Sequence, residues 1–185
     1  TDSPGFKLKP TPGSNHHGFS QVNVETYGGL LRNSWLNREL GLAGRLVTID
    51  GAQHLVRTGP LMVIPQLAPH LDRSVSDKLT LNPQRHLQPI WSLGEEDLFE
   101  VLAAAAGVNR DEIAGMDVFA FDCQAPEIIS GSFLASGRQD NLVSVHASLT
   151  ALLASRGPQI AVLAAFDHEE VGSATASGAC GPILE

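Results

Sequence analysis

Asp167-His168-Glu169-Glu170 ends an apolar run that starts near Gln159, and it opens a Gly/Ser/Ala loop that reaches Gly178. Like charges this close repel, and taking each out of water is costly unless something pairs with it. A further acidic residue, Asp140 in Arg138-Gln139-Asp140-Asn141, heads a second apolar stretch. Carboxylates that converge are most simply paired by a metal ion. On a strand, Glu169 and Glu170 would point to opposite faces. At a strand's end the backbone turns, so one can ligate a cation while the other reaches a bound water. Metal hydrolases need that division: ligands acidify the water and a free carboxylate takes its proton. A plainer reading stands beside this one, in which Asp-His-Glu-Glu is a solvated acidic loop and Asp140 an ordinary helix N-cap. On residue types alone the plainer reading is the commoner case.

The elements that must position these residues follow from periodicity. Residues 140–157 carry Leu142, Val145, Leu149, Leu152 and Leu153 at helical spacing, with Gly157 at the end. The run from Gln159 to Asp167 reads as a strand buried on both faces of a parallel sheet. A short strand around Phe133-Leu134 precedes the helix. A right-handed β-α-β crossover would bring Asp140 and Glu169-Glu170 to the carboxyl edge of one sheet, where ligands of open α/β sheets sit.

The first ninety residues have another character. Residues 4–20, rich in Pro, Gly, Asn and His, are predicted as loop. Gln21–Tyr27 alternates, with Val22, Val24 and Thr26 on one face, and is predicted as a strand. Gly44–Thr58 is predicted as a hairpin about Asp50-Gly51. Pro60, Pro65 and Pro69 exclude a helix or a central strand over residues 60–71. Ser92 and Glu95 at capping-box spacing predict a helix stopped by Gly107, followed by a helical turn at 109–115 and a short strand at 117–123.

Composition bounds the rest. Of 185 residues, 43% are hydrophobic and 17% charged, which predicts a folded domain with a sizeable core. The net charge of -8, with no basic cluster, argues against nucleic acid and anionic membranes as partners. Cys123 and Cys180 make neither a disulfide framework nor a CxxC zinc pattern, and a reducing, cytoplasmic setting is expected. No apolar run is long enough to span a membrane, and no signal peptide is evident.

Six blocks then occur in order: TDSPGFKLKP, QVNVETYGG, SWLNRELGLAGR, IPQLAPHL, GRQDN and FDHEEVGS. Together they resemble the aspartyl aminopeptidase family, the M18 metallopeptidases of bacterial type, over essentially the whole chain. The resemblance implies an α/β fold: pieces of a peptidase sheet at residues 1–14 and 132–185, interrupted by a β-rich dimerisation insert at 15–131. It implies a two-metal exopeptidase, usually with zinc, that removes an N-terminal residue, preferably Asp or Glu. Manganese or cobalt would also suit carboxylate-rich ligation. By the same resemblance Asp140 bridges the two metals, Glu170 is a metal ligand and Glu169 is the general base. Asp2 orients the imidazole of a metal-binding His expected immediately before Thr1. Further Asp and His ligands are expected beyond Glu185, so the sequence looks like a fragment lacking both ends. His70, in Gln66–Leu71, matches a histidine that reaches a partner's active site and stabilises the oxyanion. Self-association into dimers and a dodecamer is implied as well.

Two departures stand out. The family commonly has Leu at the position of Gln139 and a Gly-Ala-Gln-Ser run where this chain has Gly178-Ala179-Cys180-Gly181. Neither removes a ligand. His16, His17, His54, His86 and His168 read as exposed or structural. Cys180 lacks an activating set, and the Gly/Ser loop lacks the lysine of a phosphate loop. The rival from another class is a non-catalytic oligomerisation module, or an inactive fragment or paralogue of such an enzyme.

Overall fold

A computed structural model describes residues 1–184. The chain divides into two compact units: Thr1–Pro4, Tyr27–Gly29 and Ala125–Glu185 form one, and Gly5–Thr26 with Leu30–Gln124 form the other.

The second unit is built on a six-stranded sheet. Its strands are β1 (Gly5–His16), β2 (Phe19–Tyr27), β3 (Leu40–Thr48), β4 (Gln53–Arg57), β5 (Ile90–Leu93) and β6 (Ile113–Asp122). They lie in the order β4-β3-β6-β1-β2-β5. The β3–β4, β3–β6, β1–β6 and β2–β5 pairs are antiparallel. Two helices accompany the sheet, the short α1 (Pro83–His86) and α2 (Leu98–Ala106). Phe6, Val22, Val24, Leu42, Leu46, Ile64, Leu87, Leu102 and Val118 form its core. Each side chain of this size taken fully out of water contributes about 1.5–3 kcal/mol.

The predicted hairpin is present, with Ala43↔Arg57 through Val47↔Gln53 in register. Asp50 closes the turn by accepting from the Ala52 amide and the Thr48 hydroxyl. The alternation at 21–27 holds, since Val22 and Val24 are buried. The segment after Pro60 contributes only isolated bridges, at Met62, Val63 and Ile64.

Two local expectations fail. Residues 5–16 form β1 rather than loop, because Phe6 and Leu8 alternate into the core on either side of Lys7, which faces Phe119 of β6. Pro10, Pro12 and Gly13 follow that pair, and the strand runs on through them to His16. The helix predicted from Ser92 starts five residues later. Ser92 is taken up in β5 opposite Ser20, and Asp97 caps α2 through the Phe99 amide. Pairing with β2 prevails over the capping-box spacing. The stop is where it was expected, with Gly107 left-handed at φ 71°.

The first unit contains a two-stranded antiparallel ribbon of β7 (Glu127–Ile129) and β8 (Phe133–Ala135), and the helix α3 (Gln139–Ala154). The β-α-β crossover is not formed. β8 pairs with β7, and the apolar run 158–166 is in no strand among the described residues. Ile160 and Val162 are 94% and 78% exposed. A parallel strand draws its hydrogen bonds and its burial from neighbours of distant sequence, and no described strand lies beside this run. The stripe on α3 is likewise uncovered: no residue of that helix is buried. The fold class remains mixed α/β with a large antiparallel sheet.

Candidate active site

Three consecutive residues, Thr1, Asp2 and Ser3, tie the acidic segments of the first unit together. The Thr1 backbone nitrogen and hydroxyl both donate to the Phe166 carbonyl, at 2.6 and 3.1 Å. Asp2 accepts the backbone N–H of Glu169 at 3.0 Å and that of Glu170 at 3.2 Å. Ser3 donates its hydroxyl to the Asp140 carbonyl at 2.7 Å. The apolar run, the Glu-Glu turn and the start of α3 are thus held by one short piece of chain.

Local backbone explains the shape. After Phe166 the chain turns through His168, left-handed at φ 59°, into a single helical turn at Glu169–Val171 that ends at Gly172. Such a turn leaves its first amides without intrahelical acceptors, and an anion suits that position. Asp2 is that anion. Its side chain is only 9% exposed, and its Oδ2 also accepts the Tyr27 hydroxyl at 2.6 Å. Burial pushes the Asp2 carboxyl up, but the Tyr27 hydroxyl and the Glu170 and Glu169 amides more than offset it and hold it below the ordinary value. At α3 the left-handed Arg138 leads in, and Asp140 and Asn141 keep non-helical backbone, so Asp140 sits on the threshold of the helix.

The two glutamates have different surroundings. Glu169 is exposed. Glu170 is half-buried against Gly28-Gly29, where its Oε2 accepts the Gly29 amide at 3.3 Å. His168 turns its Nδ1 to the hydroxyls of Thr175 and Ser177, at 2.7 and 3.2 Å, and so braces the Gly/Ser loop.

The oxygen chemistry suits a divalent cation. Among the described residues no hydrogen bond or ion pair engages the Asp140 or Glu169 carboxylates. The Oδ1 of Asn141, next to Asp140, is buried without a donor. These groups make a partial ligand set: no three His, Cys, Asp or Glu side chains cluster as a metal site among the described residues.

The family model for the aminopeptidase I zinc metalloproteases, M18, matches residues 1–185. The chain belongs to the M18 family. An M18 relative from Streptomyces avermitilis, a probable M18 family aminopeptidase 2, is 50% identical over all of this chain and 46% of its own length. Among solved structures, a chain of the cryo-EM structure of the Ape4 and Nbr1 complex matches with TM-score 0.89 and 31% identity, over 100% of this chain and 42% of that one. The Saccharomyces cerevisiae mApe1 dodecamer matches with TM-score 0.73 and 27% identity, over 99% of this chain and 45% of that one. The chain spans a little under half the length of the curated relatives it matches.

Within this M18 chain, Asp2, Asp140, Glu169 and Glu170 lie in one unit and share the Thr1–Ser3 tether. His70 lies in the other unit, exposed on a turn whose Leu71 amide returns to the Ala68 carbonyl. Sequence reasoning missed Tyr27, Gly28, Gly29 and Ser3. The Tyr-Gly-Gly run was visible, but nothing in its spacing showed that its partners stand at Asp2 and Glu170.

Proposed function

We propose that this chain carries part of the active site of a two-metal aminopeptidase, with zinc as the first choice of metal, that removes N-terminal Asp or Glu from peptides. The observation that carries the reading is the tether of the Asp140, Glu169 and Glu170 backbone to Thr1–Ser3, with no ion pair joining these carboxylates to basic side chains among the described residues. The family's description as zinc metalloproteases supports the metal, and the names of the curated relatives support the aminopeptidase activity.

In this reading Asp140 and Glu170 would hold the metal, with Asp140 as the ligand common to two ions. A bound divalent cation acidifies water and polarises a carbonyl. Glu169, exposed and without an ion pair among the described residues, takes the proton of the attacking water and passes it to the leaving amine. Asp2 keeps the Glu169–Glu170 turn in place and orients the metal-binding imidazole expected before Thr1. His70 of a neighbouring copy donates to the oxyanion that forms on the scissile carbonyl. Residues 15–131 act as the dimerisation insert, and the dodecameric yeast relative supports further assembly. The setting is cytoplasmic.

The test is release of the first residue from peptides beginning with Asp, Glu, Ala or Leu by the native protein. It is run with zinc, after chelation, and after zinc is restored. The reading expects cleavage favouring the acidic residues, lost on chelation and regained with metal. A folded, zinc-supplied protein that cleaves none of them, yet self-associates, would instead be an assembly module.

A further inference from the structure

We propose that Tyr27 and Gly28 are positioning residues for the Glu169–Glu170 pair, a role that rests on the metallo-aminopeptidase reading above. The Tyr27 hydroxyl has one proton, and it gives that proton to Oδ2 of Asp2 at 2.6 Å. The same oxygen takes the Glu170 amide, while Oδ1 takes the Glu169 amide. Both oxygens of this nearly buried carboxylate are therefore engaged, Oδ1 keeping one acceptor site, and its rotation is fixed by three donors from two distant segments. Without the phenol, Oδ2 keeps one donor, at 3.2 Å. The carboxylate can then turn, and both amides of the Glu-Glu turn lose a fixed acceptor.

Gly28 acts on the side chain where Tyr27 acts on the backbone. It is left-handed at φ 68°, and a Cβ added there would lie 2.9 Å from both Cβ and Cδ of Glu170 and overlap Oε2. Real Cβ contacts do not come that close. The bare backbone of Gly28 is thus the surface on which Glu170 rests, and the Gly29 amide marks where its carboxylate ends. Tyr27-Gly28-Gly29 grips the Glu-Glu turn at Asp2 and the Glu170 carboxylate at its tip. Partners that orient ligands in this way typically change metal affinity or activity ten- to a hundred-fold when removed.

The experiment compares Tyr27→Phe and Gly28→Ala with wild type in the native protein, by three measurements. These are hydrogen exchange of the Glu169 and Glu170 amides without metal, zinc affinity against a competing chelator, and kcat and KM at saturating zinc. Tyr27→Phe, folded, should exchange faster at those two amides than wild type, with the rest of the chain little changed. Its zinc affinity should fall about ten- to a hundred-fold, and kcat should drop with KM nearly unchanged. Gly28→Ala should weaken zinc binding similarly. Folded Tyr27→Phe with wild-type exchange and wild-type zinc affinity overturns the inference. Should Tyr27→Phe not fold, unchanged zinc affinity in Gly28→Ala overturns it. A wild type that binds no zinc and cleaves nothing sinks the metallo-aminopeptidase reading. Amide exchange then still decides the clamp: faster exchange in Tyr27→Phe upholds it, and unchanged exchange overturns it.

Discussion

The carboxylate of Asp2 accepts the backbone N–H of Glu169 at 3.0 Å across 167 positions of sequence. Hydrogen bonds to a charged acceptor contribute about 1.5–3 kcal/mol each when they are shielded from water, and Asp2 is nearly buried. Asp2→Ala leaves the Glu169 and Glu170 amides and the Tyr27 hydroxyl without their acceptor. We expect the variant to lose about 1–3 kcal/mol of stability in urea unfolding and about ten- to a hundred-fold in activity. Unchanged stability together with unchanged activity would contradict this.

Leu102 points from α2 into the core of the second unit and is fully buried. Leu102→Ala removes that packing and leaves a cavity, at a cost of about 2–5 kcal/mol. Chemical denaturation followed by the fluorescence of Trp35 and Trp91, both in this unit, would read the loss.

Asp97 supplies the pH-dependent part of the same helix. Burial pushes its carboxyl up, but the hydrogen bond from Arg110, the Phe99 amide and the charge of Arg110 outweigh burial and lower it. A carboxyl lowered on folding stabilises the fold above its unfolded value, about 3.9. That contribution is lost as pH falls through the lower folded value. The side chain is 40% exposed, so solvent screens the effect. Asp97→Asn keeps a capping oxygen and should abolish this contribution to the acid limb. It should cost little at pH 7 beyond the Arg110 pair. Thermal melts from pH 2 to 7 would compare the two proteins.

The proposed role of His70 in a neighbour's active site makes complementation between subunits a direct check. His70→Ala and Glu169→Gln should each be nearly inactive alone. Co-expressed, they form mixed dimers in which the site with wild-type Glu169 receives His70 from the other chain. Activity should reappear in the mixture. Its absence, with mixed dimers demonstrated, would show that His70 does not serve a neighbour's active site.

Local signals were legible in the sequence and long-range ones were not. The Asp50-Gly51 turn, the stop at Gly107 and the Val22–Val24 alternation depend on residues near one another, and each is present. The start of α2 was misplaced because Ser92 and Asp97 are both cap residues, and the choice between them is made by pairing with Ser20, more than seventy positions away. The run at 158–166 has the composition of a buried strand, but composition does not supply the neighbouring strands that make one. For the site, Asp140, Glu169 and Glu170 stood out as charges beside apolar stretches. Tyr27 did not, because a tyrosine ending an amphipathic strand looks like any other until its bond to Asp2 is seen.

The division of labour between the two glutamates is tested most directly by zinc content and N-terminal Asp release, measured together on wild type, Glu169→Gln and Glu170→Gln. Glu169→Gln should keep wild-type zinc and lose at least about a hundred-fold in kcat, the lower range for a missing general base. Glu170→Gln should lose both zinc and activity. Full activity in Glu169→Gln, or loss of its zinc with Glu170→Gln fully loaded, would contradict the assignment of base and ligand.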